Sequence, residues 1–248
     1  MRILITAGNT QVLIDKVRCL TNIFTGRTGT RLAWQGHQLG HTVTLLTSHP
    51  EVIADYAAPL PTDRWTVKPF RTFEDLQNLM AAVISQGNLD AIIHCAAVSD
   101  FLTRGIYAPG SGTTFDPNTG HWLSSGIDPP ELLDRLTDKI KSAEPELWLH
   151  LVRAPKLVDR IRTDWGFPGI LVKFKLEVNL AEEQLLTIAE ESRRHSQADF
   201  MVANTLEGMA SWAYLGPIDG KYHRVHRQVL APRLFEAMDR LRKERDNG

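Results

Sequence analysis

Arg2-Ile3-Leu4-Ile5-Thr6, followed by Ala7-Gly8-Asn9-Thr10, decides how the rest of the chain is read. The opening run is short, apolar and β-branched, the pattern of a buried strand. The residues after it are small and end the strand where backbone N–H groups can turn outward. A polar stretch, Arg18-Cys19-Leu20-Thr21-Asn22, leads to Phe24-Thr25-Gly26-Arg27-Thr28-Gly29 and to an amphipathic helix expected from about Thr30 to Leu39. A strand, a glycine turn and a helix N-terminus form a phosphate cradle, because free N–H groups and the positive end of the helix dipole meet an anion. Neither G-x-G-x-x-G nor G-x-x-x-x-G-K-[ST] is present here. The loop from Gly8 to Gly29 is long for a βα connection, which marks it as functional.

Working outward, the same alternation continues. Strands are expected at Thr42–Thr47, Trp65–Phe70, Asp90–Ala96, Leu147–Val152, Gly169–Phe174 and Phe200–Asn204. Pro69 cannot donate to a ladder, so Trp65–Phe70 is an edge strand. His49 to Thr62 reads as a connection. Helices are expected after Thr72, which caps Phe73, Leu76, Leu79, Met80, Val83 and Ile84 at helical spacing, and at Lys156–Trp165, Ala181–His195 and Leu230–Lys243. Pro129–Leu136 reads as a short helix. Asp219-Gly220 closes a hairpin between Ser211–Leu215 and Tyr222–His226. Gly105, Pro109, Gly110, Gly112, Pro117 and Gly120 break up the segment after Thr103, which reads as a long loop, a flap at about 103–142. The expected fold is α/β: a three-layer, doubly wound, mostly parallel, Rossmann-like sheet with a C-terminal β-hairpin and helix, as a single domain over 1–248.

The 248 residues carry a formal charge of −1 and are 43% hydrophobic. That balance leaves no basic surface for nucleic acid or an anionic membrane. No apolar run approaches the roughly 18–20 residues that span a bilayer. The N-terminus reads as a strand rather than a signal peptide, and a cytoplasmic location is expected. Cys19 and Cys95 are the only cysteines and fit a reducing compartment. The close pair His223-x-x-His226 has no carboxylate or thiol at ligand spacing, so no protein-held metal is expected. Ala97-Val98-Ser99-Asp100-Phe101, small residues and an acid at a strand's C-terminal end, suit either a ligand crevice or an ordinary helix-capping strand end.

Several blocks in one order resemble phosphopantothenoylcysteine synthetase, the ligase of coenzyme A synthesis. They are Thr6-Ala7-Gly8-Asn9-Thr10, Ile14-Asp15-Lys16-Val17-Arg18, Thr21-Asn22-Ile23-Phe24-Thr25-Gly26-Arg27-Thr28-Gly29, Ala96-Ala97-Val98-Ser99-Asp100-Phe101, Lys139-Ile140-Lys141-Ser142, Lys173-Phe174-Lys175-Leu176-Glu177 and Ala198 to Asn204. The resemblance covers Ile3 to about Arg242 and points to the stand-alone bacterial-like branch, without a fused decarboxylase domain. It implies that CTP or ATP, with Mg2+, activates the carboxylate of 4′-phosphopantothenate as an acyl-nucleotidylate, which the amine of cysteine then attacks. It further implies Asn22 and Lys139 as catalytic residues, with Lys141 the alternative flap lysine. Arg18, Ala96, Ala97 and Asp100 would bind substrate, with Arg18 reaching a neighbouring subunit's site in a homodimer. Gly8, Asn9, Thr10, Gly26, Cys95, Asp100, Phe174 and Arg193 would bind nucleotide.

The chain departs from the family pattern at Asn9, Phe24 and Lys173, and at Ser192-Arg193-Arg194-His195-Ser196, where the family carries phosphate-binding lysines. Two rival readings follow. A short-chain dehydrogenase needs a Tyr-x-x-x-Lys pair, and none of Tyr56, Tyr107, Tyr214 or Tyr222 has Lys four residues on. A degenerate paralogue would bind nucleotide or phosphopantothenate without catalysis.

Overall fold

The computed structural model describes residues 1–56, 63–137, 139–141 and 143–247. In chain order its strands are β1 Arg2–Ala7, β2 Gln11–Leu13, β3 Cys19–Thr21, β4 Thr42–Thr47, β5 Trp65–Pro69, β6 Ala91–His94, β7 Phe101–Pro109, β8 Thr113–Asp116, β9 His121–Ser124, β10 Leu132–Asp134, β11 Trp148–Arg153, β12 Ile170–Glu177, β13 Phe200–Thr205, β14 Trp212–Ile218 and β15 Lys221–His226. The helices are α1 Arg27–Gln38, α2 Phe73–Ile84, α3 Leu157–Thr163, α4 Glu182–His195 and α5 Leu230–Asp246. The chain packs as two compact units.

The first unit comprises Met1–Thr10, Ile23–Val98 and Lys156–Gly248. Its eight strands run in the order β15-β14-β13-β12-β6-β1-β4-β5. β1 pairs in parallel with β4 on one side and β6 on the other, and β12 and β13 extend the parallel part. Only β14 and β15 are antiparallel, closing with Asp219 and Gly220 at φ 49° and 76°, the left-handed turn that Asp-Gly supplies. The central strands are apolar on both faces because both faces are covered. Ile3, Ile5, Val43, Ile93 and Val172 pack under α1 and α5, with Phe235 at the centre. Leu185 and Ala189 of α4 pack on Met201, Ala203 and Tyr214 from the opposite face. Arg160 of α3 donates to Gln77 of α2 at 2.7 Å. Thr72 caps α2 in a reciprocal capping box with Asp75. The expected three layers, edge strand β5 and terminal hairpin are all observed.

The second unit, Gln11–Asn22 with Ser99–Pro155, corrects the flap. The segment expected as a loop is strand-built. β7 runs antiparallel between β10 and β11, and β8 pairs with β9. Pro109 ends β7, and Gly112 and Gly120 take φ of 75° and 71° beside the β8–β9 hairpin, so these breakers lie at strand ends and turns. The helix expected at Pro129–Leu136 is instead β10, held by pairing with Tyr107–Pro109. β11 belongs to this small sheet and not to the main one. The Gly8–Gly29 loop also holds a short hairpin, β2 on β3. Phe115, Trp122 and Trp148 stack with ring centroids 4.5–5.3 Å apart. Of the expected connection His49–Thr62, Pro50–Tyr56 forms a 3₁₀ turn and 57–62 lie outside the described residues, as do Asp138 and Ser142 of the flap.

Candidate functional site

In the first unit the chain leaves β1 toward β4 on one side and returns through β5 and α2 to β6 on the other. The strand order therefore reverses between β1 and β6, and in open α/β sheets ligands bind at the carboxyl ends of such strands. The loops leaving these two strands are joined by backbone. Ala97 N donates to Gly8 O at 2.8 Å, Thr10 N donates to Ala97 O at 3.3 Å, and Asn9 bridges Ala97 in parallel. Thr6 Oγ1 accepts from Ala96 N at 3.1 Å and meets His94 Nδ1 at 3.0 Å. Burial, joined by the charge of Lys173, lowers His94 to about 4, so it sits there neutral.

The same corner receives the start of α1. Gly26 lies just before that helix at φ 81°, and a Cβ on it would come within 2.3 Å of Gly8 N. Gly8, at φ 88°, is equally closed, since a Cβ there would meet Ser48 Oγ at 2.1 Å. These glycines let a helix N-terminus sit directly on the loop after β1. α1 has no side-chain cap and no acid in its first turn, which leaves its amide end for an anion. Gly8, Asn9, Thr10, Gly26, Cys95, Ala96 and Ala97 are thus brought together. Burial raises Cys95 to about 12, which keeps it a thiol. Phe174 lies one residue past the β12 partner of His94 and packs with Cys95 on the α1–α5 core.

Two residues missed in the sequence stand at this corner. Ser48 Oγ accepts from Asn9 N at 2.9 Å and donates to Asn9 Oδ1 at 3.1 Å. His49 Nε2 lies 3.2 Å from the same oxygen. Both follow β4, and their partner Asn9 lies about forty residues earlier in the chain, so no local pattern marks them. A third is Arg227, after β15, whose guanidinium donates to Thr28 in the first turn of α1.

Arg193 is not brought to this corner. It lies near the end of α4, which leads to the amino end of β13. It is held there by Glu190 at 2.8 Å and by Ala198 O at 2.7 Å. Lys173 points away too, donating to Ser192 O at 3.1 Å and to Ser196 Oγ. Ser196 in turn donates to Asp159 at 2.6 Å. Burial lowers Lys173 to about 8. The departure at this position is therefore a sheet-to-helix tie.

In the second unit Asp15 is a hub. Its carboxylate accepts from Val17 N, Arg18 N, the Arg18 guanidinium and Ile140 N, at 2.7–3.2 Å. Arg18 Nη2 also donates to Ile140 O at 2.9 Å. These bonds, Arg18 foremost, hold the Asp15 carboxyl well below the ordinary range. Ile140 is buried at 3% exposure, while Lys139 and Lys141 on either side are exposed. Arg18 is thus joined to the segment that bears the flap lysines. Asp100 is exposed, its carbonyl accepting from Ala154 N, and Asn22 is half-buried after β3. Among the described residues no group of three or more His, Cys, Asp or Glu is placed to hold a metal, and no helix is long and apolar enough to cross a membrane.

Residues 1–108 match the model of the DNA/pantothenate metabolism flavoprotein C-terminal domain. The chain is similar to the coenzyme A biosynthesis bifunctional protein CoaBC of Thermococcus kodakarensis, 27% identical over 97% of this chain and 51% of that one. It is 24% identical to the protein of the same name from Borreliella burgdorferi, over 92% of this chain and 47% of that one. The chain thus spans about half the length of these curated relatives. Its fold is that of the DNA/pantothenate metabolism flavoprotein from Streptococcus pneumoniae, with a TM-score of 0.74 at 24% identity, covering 97% and 99% of the two chains. A Cab2 mutant in complex with phosphopantothenate-cysteine superposes with a TM-score of 0.68 at 17% identity, covering 98% and 88%.

Proposed function

We propose that this chain, a homologue of the CoaBC proteins that carries the DNA/pantothenate metabolism flavoprotein C-terminal domain over residues 1–108, is a ligase joining 4′-phosphopantothenate to cysteine at the expense of CTP or ATP. The observation that carries the reading is the anion cradle at the β1–β6 switch point, where two backbone-joined loops meet an uncapped helix N-terminus. A carboxylate oxygen of phosphopantothenate attacks the α-phosphorus and pyrophosphate leaves. The cysteine amine then attacks the acyl carbon, losing a proton, and the nucleoside monophosphate leaves.

Gly8, Asn9, Thr10, Gly26 and Cys95 would receive the triphosphate, and Phe174 would lie against the base. Ala96, Ala97 and Asp100 would line the substrate. Asn22 would donate its amide to the reacting carboxylate. Lys139, with Lys141 as the second candidate, would neutralise charge developing at the α-phosphate. Arg18, already charged and oriented by Asp15, would hold the phosphate of phosphopantothenate in a homodimer with shared sites. Arg193 takes no part. Magnesium would arrive on the triphosphate and neutralise it, since the described residues offer no cluster of ligands of their own. Such an enzyme works in the cytoplasm.

The test is pyrophosphate release by purified protein with magnesium, phosphopantothenate and either CTP or ATP, with and without cysteine. Release that depends on phosphopantothenate is expected and names the nucleotide. No release with either, from folded protein, overturns the ligase and leaves the non-catalytic paralogue. Sedimentation of a single-chain mass at micromolar concentration would remove the shared-site role of Arg18.

A further inference from the structure

β6 stops early, and a side chain on its neighbour explains why. β6 and β12 pair from Ala91 with Ile170 to His94 with Lys173, although β12 runs on to Glu177 alongside β13. In a pleated strand, consecutive amides point to opposite borders. After β6 they do not. Ala96 N donates to Thr6 Oγ1 at 3.1 Å, and Ala97 N donates to Gly8 O at 2.8 Å. Two consecutive amides thus turn to the β1 side, and the chain bends at Cys95–Ala96 toward β1 and away from β12.

Thr6 and His94 are register partners, the last pair of the β1–β6 ladder, and each is the polar residue that closes an apolar strand. Both are buried, Thr6 at 0% and His94 at 7% exposure. An apolar pair would fill the same place without buried polar atoms to satisfy. The Thr6 hydroxyl has one proton to place. Its oxygen already accepts from Ala96, and the acceptor it meets among the described residues is His94 Nδ1 at 3.0 Å. Were Nδ1 protonated, the Thr6 proton would be buried without a partner, which is costly. The ring, kept neutral by burial and by the nearby charge of Lys173, is thereby assigned as the Nε2–H tautomer.

We propose that Thr6 and His94 are positioning residues for phosphopantothenate: His94 Nδ1 orients the Thr6 hydroxyl, and that hydroxyl holds the Ala96 amide, which fixes the Ala96–Ala97 turn on the β1 side of the crevice. The proposal rests on reading this turn as a wall of the phosphopantothenate site. Neither side chain meets the reacting atoms. Both act through the turn, and His94 acts through Thr6.

The test measures calorimetric binding of 4′-phosphopantothenate to the full chain, with magnesium and a non-hydrolysable nucleotide analogue present. It compares the wild type, Thr6→Val, Thr6→Ser, His94→Leu and the Thr6→Val/His94→Leu double variant, each checked by urea unfolding. Imidazole nitrogen shifts in the NMR spectrum of the wild type read the tautomer. The Nε2–H form is expected near neutral pH. Affinity should fall roughly tenfold in Thr6→Val, the scale of one buried amide left without its partner, and stay close to wild type in Thr6→Ser. His94→Leu should weaken binding in the same direction and add nothing to Thr6→Val, since the two act in series. An Nδ1–H ring, a folded Thr6→Val or His94→Leu that binds like the wild type, or a folded Thr6→Ser as weak as Thr6→Val would overturn the proposal. No binding of phosphopantothenate by the wild type would overturn both it and the ligase. Binding with the expected losses but no phosphopantothenate-dependent pyrophosphate release would overturn the ligase alone.

Discussion

The two units are held together in different ways. In the first, fully buried aliphatic side chains on parallel strands do the work: Leu4, Ile5, Leu45, Ile92, Ile93 and Val172 are all at 0% exposure. In the second, the buried aliphatics are few, chiefly Val12, Ile106 and Ile140, and order comes from the Asp15 hub and the Phe115–Trp122–Trp148 stack. The lesson is a division of labour. The main sheet is built on buried apolar side chains and presents backbone loops at its strand ends, while the second unit carries charged side chains such as Arg18 and Lys139.

The comparison can be broken first through chemistry. Lys139→Gln is expected to slow acyl-nucleotidylate formation by about 10²–10³-fold, the cost of losing a charged donor to a developing oxyanion, with the fold retained. Pyrophosphate release in single turnover reads this directly, and Lys141→Gln exchanges the two roles if that residue carries the loss. Next comes packing. Ile93→Ala under the main sheet should cost about 3–4 kcal/mol in denaturant unfolding, and Ile106→Ala, equally buried in the smaller unit, nearer 2 kcal/mol. Equal losses would mean that the second unit has as demanding a core as the first. Trp148→Ala removes two ring contacts and should cost about 1–2 kcal/mol, read from the loss of tryptophan fluorescence on unfolding.

The smallest effect is one of pH. The folded Asp15 carboxyl lies below its unfolded value, so its contribution to stability is present above about pH 4 and lost as pH falls further. Asp15→Asn should flatten that acid limb in urea midpoints measured between about pH 2 and 5. An unchanged acid limb would show that the hub does not order the second unit.

The same contrast explains what could be read in advance. β1, β4, β6, β12 and β13 were legible because strands buried on both faces are continuous apolar runs, and α2 because its stripe and Thr72 cap agree. β7 to β10 were not. β8 to β10 are only three or four residues long, Gly105 interrupts β7 and Pro109 ends it, and the partners of β7 lie well along the chain in β10 and β11. The Asp116-Pro117-Asn118-Thr119-Gly120 run between Thr113–Asp116 and His121–Ser124 was read as a breaker and is a hairpin turn. The close approach of Gly26 to the loop after β1 was legible through residue type and order. Ser48 and His49 were not, because a hydrogen bond between two different strand ends leaves no local pattern. Arg193 failed for a related reason: charge matched the family, but the helix carries it to the far end of the sheet.

The main sheet ends in β5 on one side and β15 on the other. The first closes on Lys68-Pro69, and the second exposes Lys221, His223, Arg224 and His226. Neither border offers an incoming strand a flat, uncharged ladder. In colloidal terms, sheet-to-sheet growth is blocked at both rims, so the folded protein should tolerate concentration. Its route to aggregation would run through exposed apolar residues of the smaller unit, such as Ile127 and Leu136.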